Sequence, residues 1–469
     1  MTDRIRYFFD KIKQRYFERE ESLHRKEVMH LAWPVLIELL LSSFFGMVDM
    51  MMLGQISDPN ISAAAVASVG ITNQPLFLGI SMAQAINVGG TAMIARYFGA
   101  KREGDIQDVL KHTLIFSFFV VAIPYSVLMQ IYAVPVMQFI GAEPIAIEVG
   151  LSYYRIIMVS FVFQSITMSL TAALRGVGQT RIPMRINLFS NGLNVIGNAL
   201  LIHGLLFFPR LGVTGAALST AIANFIGMSM MIYIFLRGDG PITLELKKRF
   251  RFNKDIIYNL VKIGLPSAGE MLVLRVGLVA FTRVVSGLGT VIFAAHQTSL
   301  SILSLSFNLG QAFGISASTL VGQSLGRNEP EEADNLAKEA RRMGAVSATI
   351  LGAIFFLFGI QIAGLYSTNA AVIVNAAMVL RIIGLVQPFQ ASQLIMSGGM
   401  RGAGDTVFTM ITTLIGILIV RVSLANLFVR VMGMGLEGAW YATFMDQFVR
   451  WALVSWRFRS GKWKAIKLR

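Results

Sequence analysis

The sequence predicts an all-α integral membrane protein, with twelve transmembrane helices in two pseudo-symmetric six-helix lobes, a parallel repeat around a central cavity. Three observations predict it. Mean hydropathy is +0.63, and 55% of residues are hydrophobic against 14% charged, more apolar surface than a soluble domain can hide. The apolar runs are separated by links whose charge alternates. The second half of the chain repeats motifs of the first.

Residues 1–27 are charged throughout, with Ile5, Tyr7, Phe8, Phe9, Ile12, Tyr16 and Phe17 set among Lys and Arg. They read as an amphipathic helix on an anionic cytoplasmic leaflet or, equally, as a solvated tail. No signal-peptide core or cleavage site precedes Trp33. Apolar runs centred near 43, 75, 122, 160, 194 and 226 make the first lobe, residues 28–237. Those near 275, 307, 352, 385, 416 and 447 make the second, residues 255–460, after a polar linker at 238–254 and before a basic tail at 461–469. Each run is about 20–30 residues, enough to cross the hydrocarbon with some tilt. Links 55–60, 139–146 and 366–371 contain no Lys or Arg, whereas those near 101–111, 175–185, 247–254 and 327–342 are basic. The positive-inside rule therefore puts both termini and every even-to-odd link in the cytoplasm, as in a multi-pass protein of the cytoplasmic (inner) membrane. The same distribution explains the net charge of +15 without nucleic acid. There are no cysteines for disulfides or thiolate metal sites, and the five histidines lack metal-ligand spacing.

The repeat is explicit. Arg175-Gly-Val-Gly-Gln-Thr-Arg-Ile-Pro-Met184 matches Arg401-Gly-Ala-Gly-Asp-Thr-Val-Phe-Thr-Met410. Gly212-Val-Thr-Gly-Ala216 with Thr220 matches Gly435-Leu-Glu-Gly-Ala439 with Thr443. Pro34 and Glu38 match Pro266 and Glu270, and Gln84 and Gly99 match Gln311 and Gly326. Six spans is an even number, so both copies enter from the same side and their pseudo-twofold axis lies along the membrane normal. Rocking of one lobe against the other would give alternating access.

Asp49 is an acid within an otherwise apolar span, Pro34 to Gly54. Glu38, eleven residues earlier, shares its helical face about 16 Å away. A carboxylate at bilayer depth costs roughly 2.5–3.5 kcal/mol on insertion scales, so such groups usually face a cavity and work there. The cost falls on the ionised form, which makes loading and release of a coupling ion the first reading; burial against a helix partner is the other. Asn191, Asn194 and Asn198 lie on one face of the fifth span, and Thr220 follows in the sixth. Asp49, Asn194, Asn198 and Thr220 would make an oxygen-rich pocket for a small monovalent cation, or else an interhelical hydrogen-bond cluster worth about 0.6 kcal/mol per pair. Glu38 and Glu270 are expected to face the cavity from opposite lobes, with Gln387 and Gln390 of the tenth span as further substrate-cavity candidates. No phosphate loop, His-Glu-x-x-His or nucleophile elbow is present. The expectation is therefore a non-enzyme without cofactor, driven by an ion gradient.

Over residues 28–460 the chain resembles the multidrug and toxic compound extrusion (MATE) transporters. The resemblance rests on Pro34…Val48-Asp49…Gly54, both Arg-Gly-x-Gly-x-Thr turns, Asn194-Val-Ile-Gly-Asn198, Gly212-Val-Thr-Gly-Ala216, Ala294-Ala-His-Gln297 and Gly322-Gln-x-Leu-Gly326. It implies a cation-coupled exporter of bulky, often cationic organic compounds in exchange for H⁺ or Na⁺, working as a monomer in the lipid bilayer with no nucleic-acid partner. Asp49 aligns with the family's essential first-span acid, and Asn194 and Thr220 with polar ligands of its first-lobe cation site, a Na⁺ site if sodium is the coupling ion. Asn198 departs from the family, which often has Asp there, leaving Asp49 as the main titrating group. The second-lobe acids of the NorM-like branch lack clear equivalents, so the chain looks closer to the DinF-like branch, with H⁺ favoured over Na⁺. The alternatives fit less well. A lipid-linked saccharide flippase of the same superfamily would want a basic cavity, and an intramembrane enzyme a catalytic pair.

Overall fold

Twelve helical runs account for the twelve apolar segments one for one. In the structure, a computed structural model, residues 19–55, 59–205, 208–238, 240, 242–245 and 250–466 are described; most of the segment 1–27, whose surface-helix reading was left open above, lies outside them. The first six runs are α1 (Arg19–Gly54), α2 (Pro59–Gly99), α3 (Glu103–Ile131), α4 (Pro144–Gly176), α5 (Arg181–His203) and α6 (Gly212–Arg237). The second six are α7 (Lys254–Ser286), α8 (Thr290–Gly326), α9 (Pro330–Leu357), α10 (Ala370–Ala403), α11 (Thr406–Val431) and α12 (Gly435–Arg459). Local chemistry sets the ends. Pro144 and Pro330 open α4 and α9 with a pre-set φ and no N–H to leave unpaired. The Asn369 side chain accepts from the Ala371 and Val372 amides at the start of α10.

Among the described residues, nine of these helices are long and apolar enough to cross a membrane by composition alone. The remaining three, α5, α7 and α12, carry the amides and charges that build the clusters described below. Function thus lowers hydropathy where it is placed. Among the described residues, two helices are also locally underwound to π geometry, α3 at Phe116–Ala122 and α11 at Ile415–Arg421 and Leu427–Val431, a distortion frequent near functional residues.

The chain packs as two units: Met1–Leu36 with Gly269–Lys467, and Ile37–Ala268 with Leu468–Arg469. We call the second of these the first lobe, since it holds most of the first repeat, and the other the second lobe. The division does not fall in the linker 238–254. It falls inside α1 and α7, two residues after Pro34 and two after Pro266, where proline interrupts the helical hydrogen-bond ladder. The first lobe buries one cluster around Leu53, Tyr154, Phe161 and Ile202 and another around Met93, Leu110, Phe235 and Leu260. The second lobe has its largest cluster around Phe281, Leu380 and Trp440.

In the second lobe, helices approach at glycine. A Cβ on Gly398 would lie 2.2 Å from the Gly314 carbonyl oxygen, and one on Gly402 2.0 Å from that of Ser318, so α10 and α8 touch backbone to backbone. The start of the expected basic tail is folded: Lys462–Ala465 forms a 3₁₀ turn, and buried Trp463 stacks on Phe458 with ring centroids 5.0 Å apart.

Candidate functional site

The first-lobe cluster is assembled by close packing of α5 on α6. A Cβ on Gly197 would sit 2.4 Å from Ser219 Oγ, and one on Gly215 2.5 Å from the Leu201 carbonyl oxygen, so only glycine permits this approach. Ser219 Oγ then donates to the Asn194 carbonyl at 2.7 Å, which fixes the height of Asn194 against α6. From α1, Asp49 reaches the same point. Asn198 Nδ2 donates to Asp49 Oδ1 at 2.7 Å. Asn198 is 1% exposed and Asn194 6%, whereas Asp49 and Thr220 are half-buried.

The Asn194 amide can be satisfied in two orientations. With its nitrogen towards α1 it donates to Asp49 Oδ1 and Oδ2, both at 3.0 Å, while its oxygen accepts from Thr220 Oγ1 at 3.0 Å and Ser219 Oγ at 3.3 Å. Turned over, Nδ2 faces Thr220 Oγ1 (3.0 Å) and Ser219 Oγ (3.3 Å), and the amide oxygen faces the carboxyl. The first arrangement suits an ionised carboxylate. The second suits a protonated carboxyl that must donate, or a cation shared between the two oxygens. Asn198 Oδ1 is buried without a hydrogen-bond partner among the described residues, a second acceptor at the same place. The expected set Asp49, Asn194, Asn198 and Thr220 is thus brought together. Asn191 stands apart, with Nδ2 3.5 Å from Ser42 Oγ. No cluster of three His, Cys, Asp or Glu occurs among the described residues, so any ion here would be held by one carboxylate and neutral oxygens.

Glu38 and Glu270, expected to face the cavity from opposite lobes, are each tied to an arginine of their own lobe. Glu38, 8% exposed, accepts from Arg175 Nη2 at 2.9 Å and Asn187 Nδ2 at 2.6 Å. Glu270, 3% exposed, accepts from Arg401 Nη2 at 2.6 Å, Thr409 Oγ1 at 3.1 Å and Thr413 Oγ1 at 3.2 Å. Each arginine opens the Arg-Gly-x-Gly-x-Thr turn of its own repeat, so the motif and the paired acid form one unit in each lobe. Burial of a carboxylate requires such a partner, and the turn supplies it. Gln387 and Gln390 are likewise inside the second lobe, at 2% and 4% exposure. Gln387 Nε2 donates to Ser306 Oγ at 2.9 Å and so ties α10 to α8, whereas Gln390 Oε1 is buried without a hydrogen-bond partner among the described residues; both were expected on a substrate cavity, and both side chains are buried within the second lobe.

Sequence reasoning overlooked a third cluster. Asp446 of α12, 0% exposed, is clamped by Arg421 of α11 (Nε 3.0 Å, Nη2 2.5 Å) and by Arg450 (Nε to Oδ1 2.8 Å, Nη2 to Oδ2 3.1 Å). Gly416 makes room for it, since a Cβ there would meet Asp446 Oδ1 at 2.3 Å. Arg421 also lies over the ring of Phe281, 5.7 Å from its centroid; by the repeat, Phe281 stands where the first lobe has Asp49. Phe281 packs in turn on His296 and Trp440. The signal was available as an Asp and an Arg four residues apart in the twelfth span and an Arg at the middle of the eleventh.

The model of the family described as MatE matches residues 34–200 and again 266–427, each match opening on the proline that begins a repeat. "Probable multidrug resistance protein NorM" of Thermotoga maritima is 29% identical over 459 residues, covering 96% of this chain and 95% of that protein. "Uncharacterized transporter YisQ" of Bacillus subtilis is 28% identical over 433 residues, covering 92% and 94%. Among solved structures, "Crystal structure of MATE in the bent conformation" superposes with a TM-score of 0.86 at 20% identity, over 95% of this chain and 98% of the other. "Outward-facing conformation of a multidrug resistance MATE family transporter of the MOP superfamily" gives 0.84 at 21% identity, over 94% and 97%. At these identities the structural likeness shows the fold, two lobes of six helices.

Proposed function

This chain belongs to the MatE family, and we propose that it is a secondary active multidrug exporter that exchanges bulky organic, often cationic compounds for a cation by alternating access. It is a membrane transporter and not an enzyme. The exported class is carried over from relatives named for multidrug resistance. Placement in the cytoplasmic membrane with both termini inside follows from the charge of the links.

The observation that carries the coupling is Asp49, an acid inside a membrane helix whose hydrogen bonds among the described residues come from neutral amides. Amides leave its charge to be balanced by a bound cation, which supports exchange of one there. In the ionised state Asn198 and Asn194 donate to it. On protonation Asn194 turns over to accept, and its nitrogen passes to Thr220 and Ser219. The carboxyl and the α6 hydroxyls thereby report the same event. One proton satisfies the Asp49–Asn194 pair; Na⁺ would use Asp49, the Asn194 oxygen and Thr220, with Asn198 Oδ1 in reserve. With a single carboxylate the cage is weak for Na⁺, and H⁺ is the coupling ion we favour. The DinF-like placement rests on Asn198 and on the amide-bearing tenth span, whereas several relatives carry the NorM name. The coupling is therefore argued from the pocket and not from the branch.

Transport of a fluorescent cation by protein reconstituted in vesicles, with pH and Na⁺ gradients imposed separately, tests this reading. The pH gradient alone should drive transport, and Asp49→Asn should abolish it in protein that still folds. Transport at the native rate by Asp49→Asn would overturn the assignment. A drive by Na⁺ alone would transfer the same residues to sodium.

A further inference from the structure

The second lobe carries a cleft that transport chemistry does not use. One cavity of about 420 Å³ has an apolar wall of Met29, Trp33, Leu36, Leu309, Phe313 and Met343. A second, of about 890 Å³, is edged by Lys338, Arg341, Arg342 and Trp451. The two share Glu339, Arg342 and Val346, so they adjoin at these residues, basic on one side and apolar on the other. The basic end lies in the first turns of α9, at the link 327–342 that the charge pattern puts in the cytoplasm.

The charged groups around it are paired with one exception, Arg341. Glu339 accepts from Arg25 at 2.8 Å and lies 3.7 Å from Arg342. Asp334 is shared by Lys338 at 3.0 Å and Lys464 at 3.1 Å. His24, on the wall of the second cavity, pairs with Glu332 at 2.9 Å. Arg341, half-buried, makes no hydrogen bond or salt bridge among the described residues, and the charge it faces is another cation, Arg459. Half-burying a guanidinium beside a second one is unfavourable unless an anion is supplied from outside.

We propose that this cleft binds an anionic glycerophospholipid of the cytoplasmic leaflet, its phosphate held by Arg341, Arg342 and Lys338 and an acyl chain lying along Trp33, Leu36, Phe313 and Met343. A soluble anion would use only the basic end. An apolar wall running on from that end at the membrane surface matches the two-part chemistry of a lipid, and tryptophans at 33 and 451 suit the headgroup level.

The test uses the full chain in neutral detergent with phosphatidylglycerol or phosphatidylcholine added. Native mass spectrometry reads retained lipid, and quenching of tryptophan by brominated acyl chains reads its position. Phosphatidylglycerol should be retained in preference to phosphatidylcholine, and Arg341→Ala with Arg342→Ala should weaken that retention about tenfold or more. Arg341→Lys with Arg342→Lys should keep most of it. Should the double alanine variant fail to fold, Val346→Trp fills the wall common to both cavities and should give the same loss. Equal retention of the two lipids, or retention unchanged in the alanine and tryptophan variants, overturns the proposal. So does displacement of the lipid by millimolar inorganic phosphate, which would assign a soluble anion. Binding that emerges only after residues 1–18 are removed would overturn it in favour of the chain's own segment as occupant.

Discussion

Asp49 in the first lobe and Asp446 in the second are both carboxylates within membrane helices, and the two lobes treat them in opposite ways. Asp49 is half-buried and meets neutral amides from α5. Asp446 is fully buried and meets two guanidinium groups. An acid held by amides can change charge while its neighbours reorient by one amide turn. An acid held between two arginines cannot, because its protonation would leave two buried positive charges facing each other. If Asp49 is the exchange site proposed above, the two repeats divide the tasks: exchange in one lobe, rigidity in the other. At the Glu38–Arg175 and Glu270–Arg401 pairs, by contrast, the lobes remain alike.

Exchanging each Asp for Asn should break this comparison most visibly. Asp446→Asn leaves Arg421 and Arg450 without a counter-ion and should cost about 3–5 kcal/mol of stability, read as a large fall in the denaturation midpoint in detergent. Asp49→Asn keeps a hydrogen-bonding group among amides and should cost about 1 kcal/mol or less, while gradient-driven transport disappears. Equal stability losses at the two sites would show that the arginine clamp does not distinguish them.

Next in size are the elements the lobes share. Glu38→Gln and Glu270→Gln each remove the charge from a buried pair and keep part of the hydrogen bonding, so each should destabilise by about 2 kcal/mol. The prediction is the similarity of the two values. A double-mutant cycle with Arg175→Gln and Arg401→Gln, measured by the same denaturation, should return matching coupling energies. Values far apart would mean that the repeat is conserved in sequence but not in energetics. A smaller effect is expected at Gly416→Ala, where the new methyl would press on the Asp446 carboxylate and the Arg450 stem. Overpacking of this kind costs about 1–3 kcal/mol, and an unchanged denaturation midpoint would argue against a tight clamp.

The legible parts of the molecule were those set by periodicity and by offset. Hydropathy located all twelve helices, and three- and four-residue spacing put Asn194 and Asn198 on the face that meets Asp49. The repeat offset paired Glu38 with Glu270. It could not show their arginines, which lie 137 and 131 residues away and reach them only after the helices pack. The same limit hid the bond from Gln387 to Ser306, since an amide in an apolar span looks alike whether it lines a cavity or ties two helices. Arg421 was hidden for a local reason. The π turn over Ile415–Arg421 shifts the register of α11, so that 3.6-residue counting misplaces the face that Arg421 occupies.

The smallest effect sharpens the comparison furthest. Thr220 Oγ1 lies 3.0 Å from the Ala216 carbonyl and 3.0 Å from the Asn194 amide, so it serves either orientation of that amide. Its second-lobe counterpart Thr443 bonds only the Ala439 carbonyl among the described residues, at 3.3 Å. Thr220→Ala should therefore cost about 0.6 kcal/mol, the average for a hydrogen bond between membrane helices, and Thr443→Ala no more than that. Transport should separate them. Loss of Thr220 removes the group that receives the amide nitrogen when Asp49 is protonated, and should lower the rate under a pH gradient severalfold at nearly native stability. Thr443→Ala should leave the rate within a factor of about two, since a few tenths of a kcal/mol at an interhelical bond is all it changes. If both variants transport equally well, the Asn194 amide does not relay the state of Asp49 to α6, and the first lobe binds its cation without that switch.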